Sequence, residues 1–77
     1  MHQSALYEIV VGAALDASWS AWFGGMAVEA AVSADGRPAT CLRGELPDQP
    51  ALFGVLLSIR DLNLELIRVE KIRGEWK

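Results

Sequence analysis

A chain of 77 residues with seven basic and ten acidic side chains, net charge −3, reads as a single domain over 1–77 and lacks the basic footprint of a nucleic-acid-binding protein. Cys41 is the only cysteine and His2 the only histidine, which excludes an internal disulfide and any ordinary structural zinc site. Yet 52% of the residues are hydrophobic, and a chain this short buries only about 60% of its unfolded surface. Without a staple of its own, such a domain usually gains stability from a partner, and self-association is the natural outlet for the surplus apolar surface.

In chain order, residues 1–5 are expected to fray, as are 74–77. Ala5 to Gly12 alternates as a strand, with Tyr7, Ile9 and Val11 on one face and Glu8 and Val10 on the other. Asp16 or Ser18 caps a short helix whose apolar positions, Leu15, Trp19, Trp22 and Phe23, fall on one stripe at α-helical spacing. Gly24-Gly25 stops it. Met26 to Ser33 alternates again, and Ala34-Asp35-Gly36-Arg37 is a hairpin turn of the Asp-Gly kind. Pro38 opens a third strand, where its missing N–H is tolerated, with Thr40, Leu42, Gly44 and Leu46 on one face. Pro47 ends it. Asp48 then caps a long apolar helix with Pro50 in its first turn, Asn63 ends that helix in a left-handed conformation, and Leu64 to Ile72 is the last strand.

The resulting order, β-α-β-β-α-β, predicts an α+β, ferredoxin-like two-layer sandwich: an antiparallel sheet with both helices on one face and the other face open. The expected core is Tyr7, Ile9, Val11, Trp19, Trp22, Phe23, Val28, Leu42, Leu52, Leu56, Ile59, Ile67 and Val69. Apolar side chains cover roughly 220° of the long helix, whereas core contact needs an arc of only about 100°. One flank of that helix therefore faces something beyond its own sheet.

Two runs, WSAWFGG at 19–25 and DQPALFGVLLSIRDLNL at 48–64, resemble a group of short bacterial proteins that are usually left uncharacterised. The resemblance extends from Tyr7 to Val69, with the Asp48-Gln49 opening and the Ile59-Arg60-Asp61-Leu62 ending as its most specific parts. It implies a shared fold and no particular activity. More loosely, the element order is similar to that of ACT-type regulatory domains and dimeric α+β barrel proteins, an analogy of fold alone.

No catalytic constellation is legible. His2 sits in a tail, and Gly24-Gly25 precedes a strand, the wrong context for a phosphate loop. By alternation the open sheet face carries Val10, Ala27, Ala31, Ala39, Cys41 and Leu66, a low apolar surface suited to packing against a second sheet, where a charge such as Ala31→Lys should be disruptive. Glu8, Glu29, Arg43 and Arg68 form a polar cluster on the same face, with Glu8 between the two arginines and Arg43 placed to lower the pKa of Cys41. Trp19, Trp22 and Phe23 are read as a helix packing its bulky face on the sheet. No cofactor or metal is expected, and no residue is assigned to catalysis.

The uncharged stretch Ala17 to Val28 is too short to span a bilayer, and Met1-His2-Gln3-Ser4 has no signal-like positive region, so a cytoplasmic location is expected, without membrane or nucleic-acid partners. The expected function is a non-catalytic homo-oligomeric interaction, scaffold or regulatory module whose partner is itself. The alternatives are a regulatory domain that binds a small molecule at its dimer interface and an enzyme of the dimeric α+β barrel kind.

Overall fold

Regular alternation makes Ala5–Val11 a strand, β1: Ala5, Tyr7, Ile9 and Val11 are buried on one face, and Leu6, Glu8 and Val10 are half-buried on the other. A computed structural model describes residues 4–74. Three further strands are β2 (Ala27–Val32), β3 (Pro38–Leu46) and β4 (Leu66–Gly74). They form one sheet in the order β2-β3-β1-β4, with every neighbouring pair antiparallel. A 3-10 helix (Ala17–Phe23) and an α-helix, α1 (Gln49–Asp61), supply the second layer on the Ile9 face, where Phe23, Leu52, Val55 and Ile59 share one core with Ile9, Leu42 and Leu46. The protein is α+β, with a four-stranded antiparallel sheet and two helices.

The first helix departs from the expected α-helix, and the departure moves a residue. Asp16 accepts hydrogen bonds from the Ser18 N–H (3.0 Å) and the Ser18 hydroxyl, which hold its carboxyl below the usual range. Gly24, at φ 65°, closes the far end. With three residues per turn, positions i and i+3 eclipse. Trp19 therefore lies beside Trp22, ring centroids 6.2 Å apart, while Ser20 lines up with Phe23. Phe23 is fully buried and the Ser20 hydroxyl donates to the Met26 carbonyl at 2.7 Å, but Trp22, expected in the core, is 61% exposed. Met26 fills the space instead, lying close over Gly44, where a side chain would meet the Met26 Cα at 3.2 Å.

Helix α1 follows its signals closely. Asp48 accepts from the Ala51 N–H at 2.9 Å, and Asn63 takes the left-handed conformation at φ 59°. The Leu64 N–H returns to the Ile59 carbonyl at 3.1 Å, so Leu64 belongs to the helix end and β4 begins at Leu66. The buried stripe is Leu52, Val55 and Ile59. It is rotated toward the 3-10 helix, for Val55 Cγ2 lies 3.8 Å from where a side chain on Gly24 would begin. Leu56, expected at the centre of the stripe, is accordingly only half-buried, and the opposite flank leaves Phe53 and Leu57 exposed.

That rotation leaves β4 without a roof. Helix α1 covers β1 and β3, the 3-10 helix packs against β2, and every residue of β4 is exposed. Ile67 and Val69 were expected in the core; they are 43% and 38% exposed, since among the described residues the two helices pack chiefly on the other strands. The ends of the sheet are better ordered than expected. Ala5 is buried and pairs with both Leu46 and Gly74, so neither Ala5 nor Gly74 is frayed. The remaining expectations of fraying, at 1–3 and 75–77, lie outside the described residues.

One buried polar side chain ties the layers together. Thr40 on β3 has no exposed surface; its hydroxyl donates to the Ala13 carbonyl at 2.6 Å and accepts from the Leu15 N–H at 2.9 Å, pinning the link between β1 and the 3-10 helix. Removing the hydroxyl while keeping the shape strands both backbone groups. Thr40→Val is therefore expected to lower stability by about 1–3 kcal/mol in urea denaturation, and a change below about 0.3 kcal/mol would contradict the pinning role.

Candidate functional site

The open face of the sheet is organised by Glu8. In β1 it stands between Arg43 of β3 and Glu70 of β4, two residues from the pairing of Val10 with Arg68. Its carboxylate is contacted from both sides, by Arg43 Nη1 at 2.7 Å and by Arg68 Nη2 at 3.3 Å. Arg68 also pairs with Glu70, and Arg73 reaches Glu45 at 3.5 Å further along the same face. All are in partial contact with water; Glu8 with Arg43 and Arg68, and Arg73 with Glu45, are cross-strand pairs, each worth about 0.2–1 kcal/mol, whereas Arg68 and Glu70 are neighbours on one face of β4. Glu8 is thus shared between two guanidiniums, and the cluster ties β3, β1 and β4 together through charge on the open face.

Glu29 belongs to the same face but not to the ion pairs around Glu8; it lies opposite Cys41 in the β2–β3 register. Cys41 is half-buried there. Burial pushes its thiol pKa up, the charges of Glu8 and Glu29 push it further, and Arg68 and Arg43 only partly offset them. Arg43 does act to lower the thiol's pKa, but burial and the two carboxylates outweigh it, which fits the reading of Cys41 as a small hydrophobe rather than the alternative of a reactive thiol.

The apolar positions expected on this face are unequal. Ala39 is buried and pairs with Ala31, which is half-buried, as are Val10 and Cys41; Ala27 and Leu66 are exposed. Leu66 pairs with Val11 where the β1–β4 register slips. The larger apolar surface lies elsewhere. Phe53 and Leu57 are exposed on the free flank of α1, and Ile67 and Val69 are exposed on β4, the two sides of the open corner between that helix and the strand; Ile67 also lines the cleft at the end of the sheet. The apolar excess around α1 signalled the helix side; nothing local to β4 signalled the other.

A separate cleft of about 670 Å³ opens at one end of the sheet, between Gly12–Ala14, the β2–β3 turn and the start of β4. Its charged lining is Asp35 and Arg37, paired at 3.1 Å, and Glu65, whose side chain folds over Gly12. Among the described residues, no three histidine, cysteine or acidic side chains converge as metal ligands, and no helix is long and apolar enough to cross a membrane.

A family model described as "Domain of unknown function (DUF8691)" matches residues 6–70, and the chain belongs to that family. No curated protein and no solved structure matches the chain.

The electrostatics of Cys41 give a direct test of the cluster. Glu8→Gln removes a charge that disfavours the thiolate and releases Arg43 and Arg68 to favour it, so alkylation of Cys41 at pH 7 should become a few-fold faster than in the wild type. An unchanged or slower rate in the folded variant would show that Glu8 does not set the field at this thiol.

Proposed function

We propose that this protein is a non-catalytic, homo-oligomeric interaction module of the cytoplasm, built on a ferredoxin-like frame. The strand order supports that frame: read from the other edge, β4-β1-β3-β2 is the 4-1-3-2 order of a split β-α-β arrangement with antiparallel neighbours, the short 3-10 helix standing in the place of its first helix. The observation that carries the oligomeric reading is the uncovered corner. Phe53, Leu57, Ile67 and Val69 are between 38% and 56% exposed, although the same chain buries Ile9 and Leu42 completely. A contiguous apolar surface on a domain this small favours a contact with another chain. The charged face offers solubility on the other side of the sheet, and its one thiol is held in the unreactive form.

The end cleft beside β4 supports a second reading, in which the oligomer also takes up a small molecule there. Both readings meet in one measurement, native mass spectrometry supported by sedimentation equilibrium. The expected mass is a whole multiple of 8.4 kDa at micromolar concentration, and a fixed additional mass on the oligomer would favour the ligand-binding form. A mass of 8.4 kDa throughout the micromolar range would overturn the oligomeric reading.

A further inference from the structure

We propose that two copies of this chain pair through β4, edge to edge and antiparallel, in the register that sets Val69 opposite the second copy's Val69 and Arg68 opposite its Glu70. This rests on the oligomeric reading and names its contact. β4 is an outer strand of nine residues, all of them exposed, against six residues in β2 at the other edge, which the 3-10 helix adjoins. A long, exposed edge strand is a ready template for another strand. Its closest match in length and pattern is a copy of itself.

The register follows from charge and from the pleat. Opposed residues of an antiparallel pair point to the same side, so a two-fold axis through Val69 keeps both copies' helices on one face of a continuous eight-stranded sheet. It also brings Arg68 opposite Glu70 twice, once on each side of the axis, on the face where Arg68 and Glu70 already meet within one chain. Sliding the copies by two residues in one direction sets Glu70 against Glu70; sliding them in the other sets Arg68 against Arg68. A slip of one residue sends the second copy's helices to the opposite face and brings Arg68 against Lys71. The Val69-centred register alone among these joins unlike charges. It also uses the regular part of the strand, since the β1–β4 pairing slips only outside Arg68–Lys71.

The same geometry closes the apolar corner. With strands about 4.8 Å apart, the axes of the two α1 helices stand about 19 Å from one another, and helices about 10–12 Å across leave a trough about 8 Å wide between them. Its floor is Val69 of both copies, flanked on each side by Ile67 opposite the second copy's Lys71, and its walls are α1 of both, which carry Phe53 and Leu57. Two open corners become one two-walled trough. The open-face charges of each copy, Glu8 with Arg43 and Arg68, continue into those of the next without a like-charge contact at the seam.

Paired charge variants test this register. Arg68→Glu alone sets glutamates opposite glutamates, and Glu70→Arg alone sets arginines opposite arginines, so each should weaken self-association about tenfold. Mixed in equal amounts, the two chains set every arginine against a glutamate, and the mixture should form a heterodimer at least as tight as the wild-type dimer. Because Arg68 also serves Glu8 within its own chain, a second arm replaces it: in a Cys41→Ser background, Val69→Cys should cross-link rapidly to itself under mild oxidation, since facing Cα atoms about 4.5–5.5 Å apart fall within disulfide reach. A wild-type chain that sediments as a monomer would overturn the oligomeric reading itself. A wild-type dimer that neither cross-links at Val69 nor responds to Glu70→Arg would overturn this interface while leaving that reading in place. So would a dimer lost on Ala31→Lys but indifferent to the Arg68 and Glu70 variants, which would put the contact on the open face.

Discussion

The structure turns on how few helical side chains are available to cover a four-stranded sheet. An α-helix about 10–12 Å across roofs about two strands spaced about 4.8 Å apart. Here α1 takes β1 and β3, where Leu52, Val55 and Ile59 meet Ile9 and Leu42. The 3-10 helix contributes one fully buried side chain, Phe23, over the β2 side. Nothing is left for β4. Its exposure is thus a consequence of how the second layer is built, and the rotation of α1 toward Gly24, which buries Val55 and frees Phe53 and Leu57, enlarges the same uncovered region.

The two faces of the sheet consequently have different physics. On the helix face, apolar side chains are buried over β1 and β3, Val28 is half-buried on β2, and those of β4 are exposed. On the other face, a row of ion pairs centred on Glu8 joins β3, β1 and β4 and ends in the Arg68–Glu70 pair within β4. Those pairs are individually weak in contact with water, but they give β4 charges at defined positions, Arg68 and Glu70, where an edge strand otherwise has little to fix register. Under the proposed pairing, apolar area supplies the attraction, and the charges choose among alignments that would otherwise be close in energy.

Much of the fold was legible because its signals are local. Asp48 as a cap, Asn63 as a left-handed terminus and the alternation of Tyr7, Ile9 and Val11 each depend on a few neighbouring residues, and the position of Glu8 between two arginines follows from strand order and alternation. What could not be read depends on distant elements or on helix type. Trp22 leaves the core because a period of three, unlike 3.6, separates it from Phe23. Leu56 yields the centre of its stripe to Val55 because of where the 3-10 helix ends. Ile67 and Val69 have good core alternation, and their exposure reflects the reach of a helix elsewhere in the chain. The field at Cys41 likewise depends on distant elements: Arg43 lowers the thiol's pKa, and burial with the carboxylates Glu8 and Glu29 outweighs it.

The central claim is that β4 is left open by its own chain and covered by a second copy. Hydrogen exchange as a function of protein concentration addresses it most directly, because pairing through β4 gives its outward-facing amides acceptors from a second chain. The account predicts that protection in the Arg68–Lys71 stretch rises as concentration passes through the range of dimer formation, while protection in β2, at the far edge of the sheet, stays constant. Exchange in β4 that does not change with concentration while the protein dimerises, or protection gained in β2 instead, would contradict it.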